Sequence, residues 1–146
     1  TRDHRRDHER DNEHDHERNY DRDHHARQVA ISDDGGANWT NQHYDDILIE
    51  PICQASIHRH RSKGEDAILF SNPASETERV KMTVRASFDE GNSWSHGRLL
   101  NNGPSGYSDL ATLPDGRIGC LYEAGEQEAN ESLRLARFTI DWLYGR

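Results

Sequence analysis

Ser32-Asp33-Asp34-Gly35-Gly36-Ala37-Asn38-Trp39 and Ser87-Phe88-Asp89-Glu90-Gly91-Asn92-Ser93-Trp94 spell one pattern, S-x-D-x-G-x-x-W, twice in a chain of 146 residues. One copy is compatible with chance, but two mark a repeated structural unit. The chemistry of the pattern is that of a stapled hairpin turn. Short Ser and Asp side chains hydrogen-bond nearby backbone and hold a turn. The Gly admits a positive φ. The Trp is expected to fold back and bury its ring under the loop. In this reading Ser32, Asp34, Gly36 and Trp39, and again Ser87, Asp89, Gly91 and Trp94, are structural residues.

The flanks of both octapeptides read as strands. Lys81 to Phe88 alternates, with Met82, Val84, Ala86 and Phe88 on one face and Lys81, Thr83, Arg85 and Ser87 on the other. Val29 and Ile31 alternate ahead of the first octapeptide. Ile47-Leu48-Ile49, Ala67 to Phe70, Ile118 to Tyr122 and Leu133 to Ile140 are further strand candidates. Gly35-Gly36, Pro51, Asn72-Pro73, Asn101-Asn102-Gly103-Pro104 and Pro114-Asp115-Gly116 stand between them as breakers. No convincing amphipathic helix is present, and 125–130 reads as a polar loop. Short, regularly spaced strands suggest a sandwich, barrel or propeller, and the repeated octapeptide favours the propeller.

Residues 1–25 differ from the rest. They hold six Arg, nine Asp or Glu and six His, with Tyr20 the sole apolar side chain. Such a segment has nothing to bury and is expected to be disordered. Its His/Asp alternation offers a metal-binding alternative, but the spacing closes no ligand set. His43, His58, His60 and His96 have no metal-like partner spacing either, and the chain calls for no metal and no cofactor. Hydrophobic residues make up 32% of the chain, below the usual range of about 45–50%, which also counts Gly. A net charge of −9 gives no basic face for nucleic acid. No apolar run approaches the ~20 residues of a membrane helix. Cys53 and Cys120 lie in apolar stretches and read as buried free thiols.

Three further segments carry a resemblance: Phe70-Ser71-Asn72-Pro73 followed by Arg79, then Ser105-Gly106-Tyr107-Ser108-Asp109-Leu110, then Pro114 to Glu123 with Leu121-Tyr122-Glu123 at its end. With the two octapeptides, which resemble Asp boxes, they look like the C-terminal part of an exo-α-sialidase. The resemblance extends from Arg18-Asn19-Tyr20-Asp21 to Phe138-Thr139-Ile140-Asp141-Trp142-Leu143. It implies an all-β fold, about two to three blades of a six-bladed β-propeller, over residues 26–146. It also implies hydrolysis of terminal sialic acids, with a sialylated glycan as substrate. The start at Thr1 suits a truncated or processed piece.

The resemblance also assigns roles. Sialidases hold the substrate carboxylate with three arginines, a task suited to the planar guanidinium fork. The second falls on Arg18, with Arg22 and Arg27 as rivals nearby, and the third on Arg79. Tyr107 is the implied nucleophile, since a neutral phenol escapes repulsion by the substrate's own carboxylate. Glu123 is the implied partner of the first arginine, which belongs to an upstream motif absent here. Glu123 is therefore expected unpaired and solvent-exposed. The Glu that activates the nucleophile would precede Arg18, at a place where Arg2 and Asp3 stand instead, and the acid/base Asp also belongs to an upstream motif. The chain alone is thus expected to be inactive. A non-catalytic Asp-box propeller that binds glycans or proteins is the alternative, and it leaves the Tyr107 and Glu123 segments without a purpose.

Overall fold

The structure, a computed structural model, describes residues 24–145. Eight strands run in chain order: β1 (Ala26–Ile31), β2 (Thr40–Ile49), β3 (Ser56–Ser62), β4 (Glu65–Pro73), β5 (Val80–Ser87), β6 (Arg98–Thr112), β7 (Ile118–Ala124) and β8 (Ser132–Phe138). One short helix, α1 (Ile140–Tyr144), closes the described chain. β1 and β2 form a two-stranded sheet, and β3 to β8 form a second sheet in strict sequence order. Every pairing is antiparallel.

β6 decides the architecture. Its first half pairs with β5, from Arg98↔Val84 to Pro104↔Val80. Its second half pairs with β7, from Ser105↔Ala124 to Thr112↔Ile118. β3–β4–β5 and the first half of β6 therefore make a complete four-stranded unit, and the second half of β6 opens the next one with β7 and β8. Asn101 to Pro104, expected to break the chain, lies inside this strand. A residue without an N–H is tolerated here because pairing passes from one neighbour to the other. The carbonyl of Pro104 accepts the Gly125 N–H at 3.2 Å, and Ser105 N–H donates to the Arg79 carbonyl at 2.7 Å.

The core fills the space between these two units. Ala67, Leu69, Met82, Val84 and Ala86 from β4 and β5 meet Leu110, Ile118, Cys120, Tyr122, Ala124 and Phe138. Ile140 and Leu143 of α1 join them. The alternation read in 81–88 sends Met82, Val84 and Ala86 inward, but Thr83, Arg85 and Ser87 are buried too. β5 is central and covered on both faces. Burial pushes the Arg85 guanidinium below its ordinary value, opposed by nearby Asp45. Phe88 leaves the core face, because the chain has already entered the second octapeptide; its ring packs 5.1 Å from that of Tyr144 instead.

The strand expected to reach Ile140 stops at Phe138. Thr139 is an N-cap whose hydroxyl accepts the Trp142 N–H at 3.3 Å, and Gly145 closes α1 in the left-handed conformation. Cys53 and Cys120 are free and buried, as expected. Burial pushes the Cys120 thiol up to about 11.

The two octapeptides take the same path. Ser32 Oγ accepts Gly36 N–H and Ser87 Oγ accepts Gly91 N–H, both at 2.8 Å. Asp34 accepts the backbone N–H of Asn38 at 2.9 Å, as Asp89 accepts that of Ser93 at 2.8 Å. The side chains at those positions, Asn38 and Ser93, add a second bond to the same carboxylate at 2.6 Å in each copy. Gly36 and Gly91 have φ of 95° and 86°, and each lies under the edge of its Trp ring. Each copy joins two adjacent antiparallel strands, β1 to β2 and β5 to β6. The rings diverge in their surroundings. Trp94 donates to Asp45 Oδ2 at 2.9 Å and packs 5.8 Å from Phe70. Trp39 stays 65% exposed, contrary to the expected burial. The turn places each ring over its own glycine, but only an adjoining strand or blade covers its outer face.

Candidate active site

β6 and β7 place Tyr107 and Glu123, and the turn into β5 places Arg79. The ladder between β6 and β7 slips between Ser105 and Ser108. Such a bulge re-aims a side chain, and Tyr107 leaves it 49% exposed while Ser105 and Ser108 stay buried. Glu123 Oε2 accepts the Tyr107 backbone N–H at 3.0 Å. A Cβ on Gly106 would sit 2.3 Å from that same oxygen, so any larger residue has to push the Glu123 carboxylate off the Tyr107 N–H. The Arg79 guanidinium carbon lies 5.6 Å from the centre of the Tyr107 ring, a cation–π arrangement. All three side chains line one cavity of about 440 Å³, with Val80, Pro104 and residues 127–130.

Three segments, with Arg79 28 residues before Tyr107 and Glu123 16 residues after it, thus converge on one face. The cavity offers a guanidinium fork for an anion, a phenol beside it, and a carboxylate that fixes the phenol's backbone. Glu123, expected unpaired and exposed, is half-buried and accepts the Tyr107 N–H. Below the bulge, Gln54 clasps Ser108 with two bonds of 3.0 Å.

Residues 15–120 match the BNR repeat-like domain. The chain belongs to the BNR repeat-like family. Its relatives include sialidases. It is 38% identical over 125 residues to a sialidase of Micromonospora viridifaciens, covering 82% of this chain and 18% of that protein. It is 37% identical over 107 residues to one of Bacteroides fragilis, covering 68% and 20%. The chain thus spans about a fifth of the length of these relatives. Among solved structures, a Hadza microbial sialidase superposes with a TM-score of 0.66 at 33% identity, over 81% of this chain and 24% of that one. The leech intramolecular trans-sialidase, 23% identical, superposes equally well over 83% and 21%, and shows the shared fold. The strands are therefore part of a β-propeller, and the octapeptides are Asp boxes.

The remaining expected site residues fall elsewhere. Arg18 and its rival Arg22 lie outside the described residues, as does the low-complexity run through Asp23. Arg27 is described, but it is committed to structure. It pairs with Glu50, donates to the Cys53 carbonyl at 2.7 Å and stands over the Phe70 ring. It does not line the cavity of Tyr107. The Asp-box side chains satisfy their own turns and stay outside that cavity. His58 and His60 both hydrogen-bond the Thr112 hydroxyl, at 3.0 and 2.9 Å. Among the described residues no group of three ligands for a metal exists, and no helix is long and apolar enough to cross a membrane.

Sequence reasoning missed the rim. Gln127, Glu128, Ala129 and Asn130 line the cavity, yet 125–130 read only as a polar connection. The available signal was position, since the loop follows Glu123 almost directly.

Proposed function

We propose that this chain supplies part of the active site of a retaining exo-α-sialidase, which releases terminal sialic acids from sialylated glycans. The observation that carries the reading is Arg79 beside Tyr107 in one cavity, with Glu123 locked to the Tyr107 backbone. Arg79 takes the substrate carboxylate with its planar fork. Tyr107 Oη attacks the anomeric carbon and its proton passes to a base. The glycosidic C–O bond breaks, and the leaving oxygen takes a proton from an acid. Water then cleaves the tyrosyl intermediate with retention. A phenol needs such a base at neutral pH; Glu123 is occupied by the backbone, so in the ring-completed protein the base, the acid and the first arginine have to be supplied by the added segments. Arg18 remains the candidate for the second.

The test uses this chain joined to the blades that complete the ring. Tyr107→Phe should remove most turnover of an aryl sialoside while binding of N-acetylneuraminic acid persists. Arg79→Ala should weaken that binding. Unchanged turnover in Tyr107→Phe overturns Tyr107 as the nucleophile, whereas a ring-completed protein that binds N-acetylneuraminic acid and turns over no sialoside is a glycan-binding propeller. The 146-residue chain by itself should show no turnover.

A further inference from the structure

We infer that Glu131 is a positioning residue, which clamps the β7–β8 loop into a fixed rim of the Arg79–Tyr107 cavity so that Gln127 and Asn130 meet neutral, hydroxyl-rich parts of the ligand. The inference rests on the sialidase reading for its ligand, but not for its clamp.

The clamp is a single carboxylate that gathers three consecutive backbone N–H groups. Glu131 Oε2 accepts from Glu126 at 2.9 Å, and Oε1 accepts from Gln127 at 3.0 Å and Glu128 at 2.8 Å. Successive N–H groups turned to one point form an anion-binding concavity, and here the chain fills it with its own side chain. These bonds hold the Glu131 carboxyl below its usual value. The fit leaves no slack. A Cβ on Gly125 would lie 1.9 Å from the Glu128 carbonyl oxygen and 2.7 Å from Glu131 Oε2. Gly125 N–H is tied to Pro104, three residues before Tyr107, and the Ser132 hydroxyl donates to the Ala124 carbonyl at 2.5 Å across the loop's base.

A hairpin connection needs about two residues and no internal anion. This loop is longer, and it gathers Glu126, Glu128 and Glu131 despite their mutual repulsion. The expenditure makes sense if the conformation matters, and its far side is the wall of the cavity that holds Arg79 and Tyr107. Along that wall stand two amides, Gln127 and Asn130, which both donate and accept, beside the Glu128 carboxylate. Amides suit hydroxyls and an acyl amide, leaving the substrate's anion to Arg79.

Two measurements test the inference. Hydrogen exchange of amides 126–128, read by mass spectrometry on the 146-residue chain, should accelerate by roughly tenfold or more in Glu131→Ala, with partial rescue in Glu131→Gln, which keeps one acceptor. Unaltered exchange overturns the clamp. In the ring-completed protein, Glu131→Ala should raise KM for an aryl sialoside by roughly tenfold with kcat within about threefold, and Glu131→Gln should recover part of it. Faster exchange with unchanged KM, while Tyr107→Phe still abolishes turnover, overturns the rim but leaves the sialidase reading standing. Faster exchange in a ring-completed protein that has no sialoside turnover overturns the sialidase reading and the ligand assignment together, and retains the clamp.

Discussion

Glu123 Oε2 sits 3.0 Å from the Tyr107 backbone nitrogen, and Gly106 between them has no room for a side chain. The carboxylate fixes the bulge that presents the phenol, so the position of Tyr107 is set through its main chain. Gly106→Ala should therefore drive Glu123 away and shift Tyr107. We expect a loss of about 1–3 kcal/mol from the overpacked contact, read as a lowered denaturation midpoint. Glu123→Gln keeps an acceptor and should cost less than Glu123→Ala.

The paired Asp boxes should respond to acid. Asp34 is held down to about 2, mainly by the backbone and side chain of Asn38, against 3.8 for a free carboxyl. Its folded value lies below the unfolded one. Its contribution is thus fully present above about pH 4 and is lost as the pH falls through about 2. Asp89 is also lowered, chiefly by its bonds to Ser93, so the second box should loosen on the acid side as well. Asp34→Asn and Asp89→Asn should each flatten the acid limb of a stability-versus-pH curve. An unchanged limb in both would remove the boxes from the acid response.

The two boxes should differ in what their Trp residues are worth. Trp94→Ala removes a hydrogen bond to Asp45 and a contact with Phe70. Its cost should exceed about 1 kcal/mol but fall short of the about 3–5 kcal/mol of a fully buried ring. Trp39→Ala should stay within about 0.5 kcal/mol, as for most surface positions. Chemical denaturation of the two variants checks the order.

These contrasts show how much was legible beforehand. Every hydrogen bond inside an Asp box spans four residues or fewer, so the sequence carries the whole turn. Met82, Val84 and Ala86 likewise announced their face by alternation alone. The route of β6 was not legible, because Asn101 to Pro104 has the composition of a turn and only the exchange of partners from β5 to β7 keeps it extended. Tyr107 and Arg79 were recognisable as residues, whereas the contacts that aim them, Glu123 to Tyr107 N–H and Glu131 to the loop amides, are set by backbone atoms that no residue pattern records. The exposure of Trp39 depends on what lies over the first box, which its octapeptide does not encode.

The outer face of β7 and β8 should drive association. Leu121 and Leu135 pair directly across the two strands, Leu133 lies opposite Glu123, and all three leucines are exposed. A row of apolar side chains beside β8, an edge strand among the described residues, is a template for another strand. The 146-residue chain should sediment above its monomer mass, and Leu133→Lys with Leu135→Lys should return it toward the monomer. A monodisperse wild-type chain would show that this face is not adhesive.

Arg27 and Arg79 should separate stability from binding. Both stand near an aromatic ring, Phe70 and Tyr107 respectively. Arg27 is partly buried against Glu50 and the Cys53 carbonyl, so Arg27→Ala strands a mostly buried carboxylate. Losing one partner of such a pair is costly because the other charge stays desolvated. We expect a loss of about 1–3 kcal/mol, discounted for the residual exposure of both groups. Arg79 is exposed and has no carboxylate partner among the described residues, so Arg79→Ala should leave the denaturation midpoint nearly unchanged. In the ring-completed protein the ranking should invert, with Arg79→Ala weakening N-acetylneuraminic acid binding by roughly a hundredfold if one bidentate charge-assisted contact is lost. Arg27→Lys, which keeps the charge but loses the fork, should recover only part of the stability. Equal thermal losses in Arg27→Ala and Arg79→Ala would mean that Arg79 is a structural arginine, and the anion site would then have to be sought elsewhere.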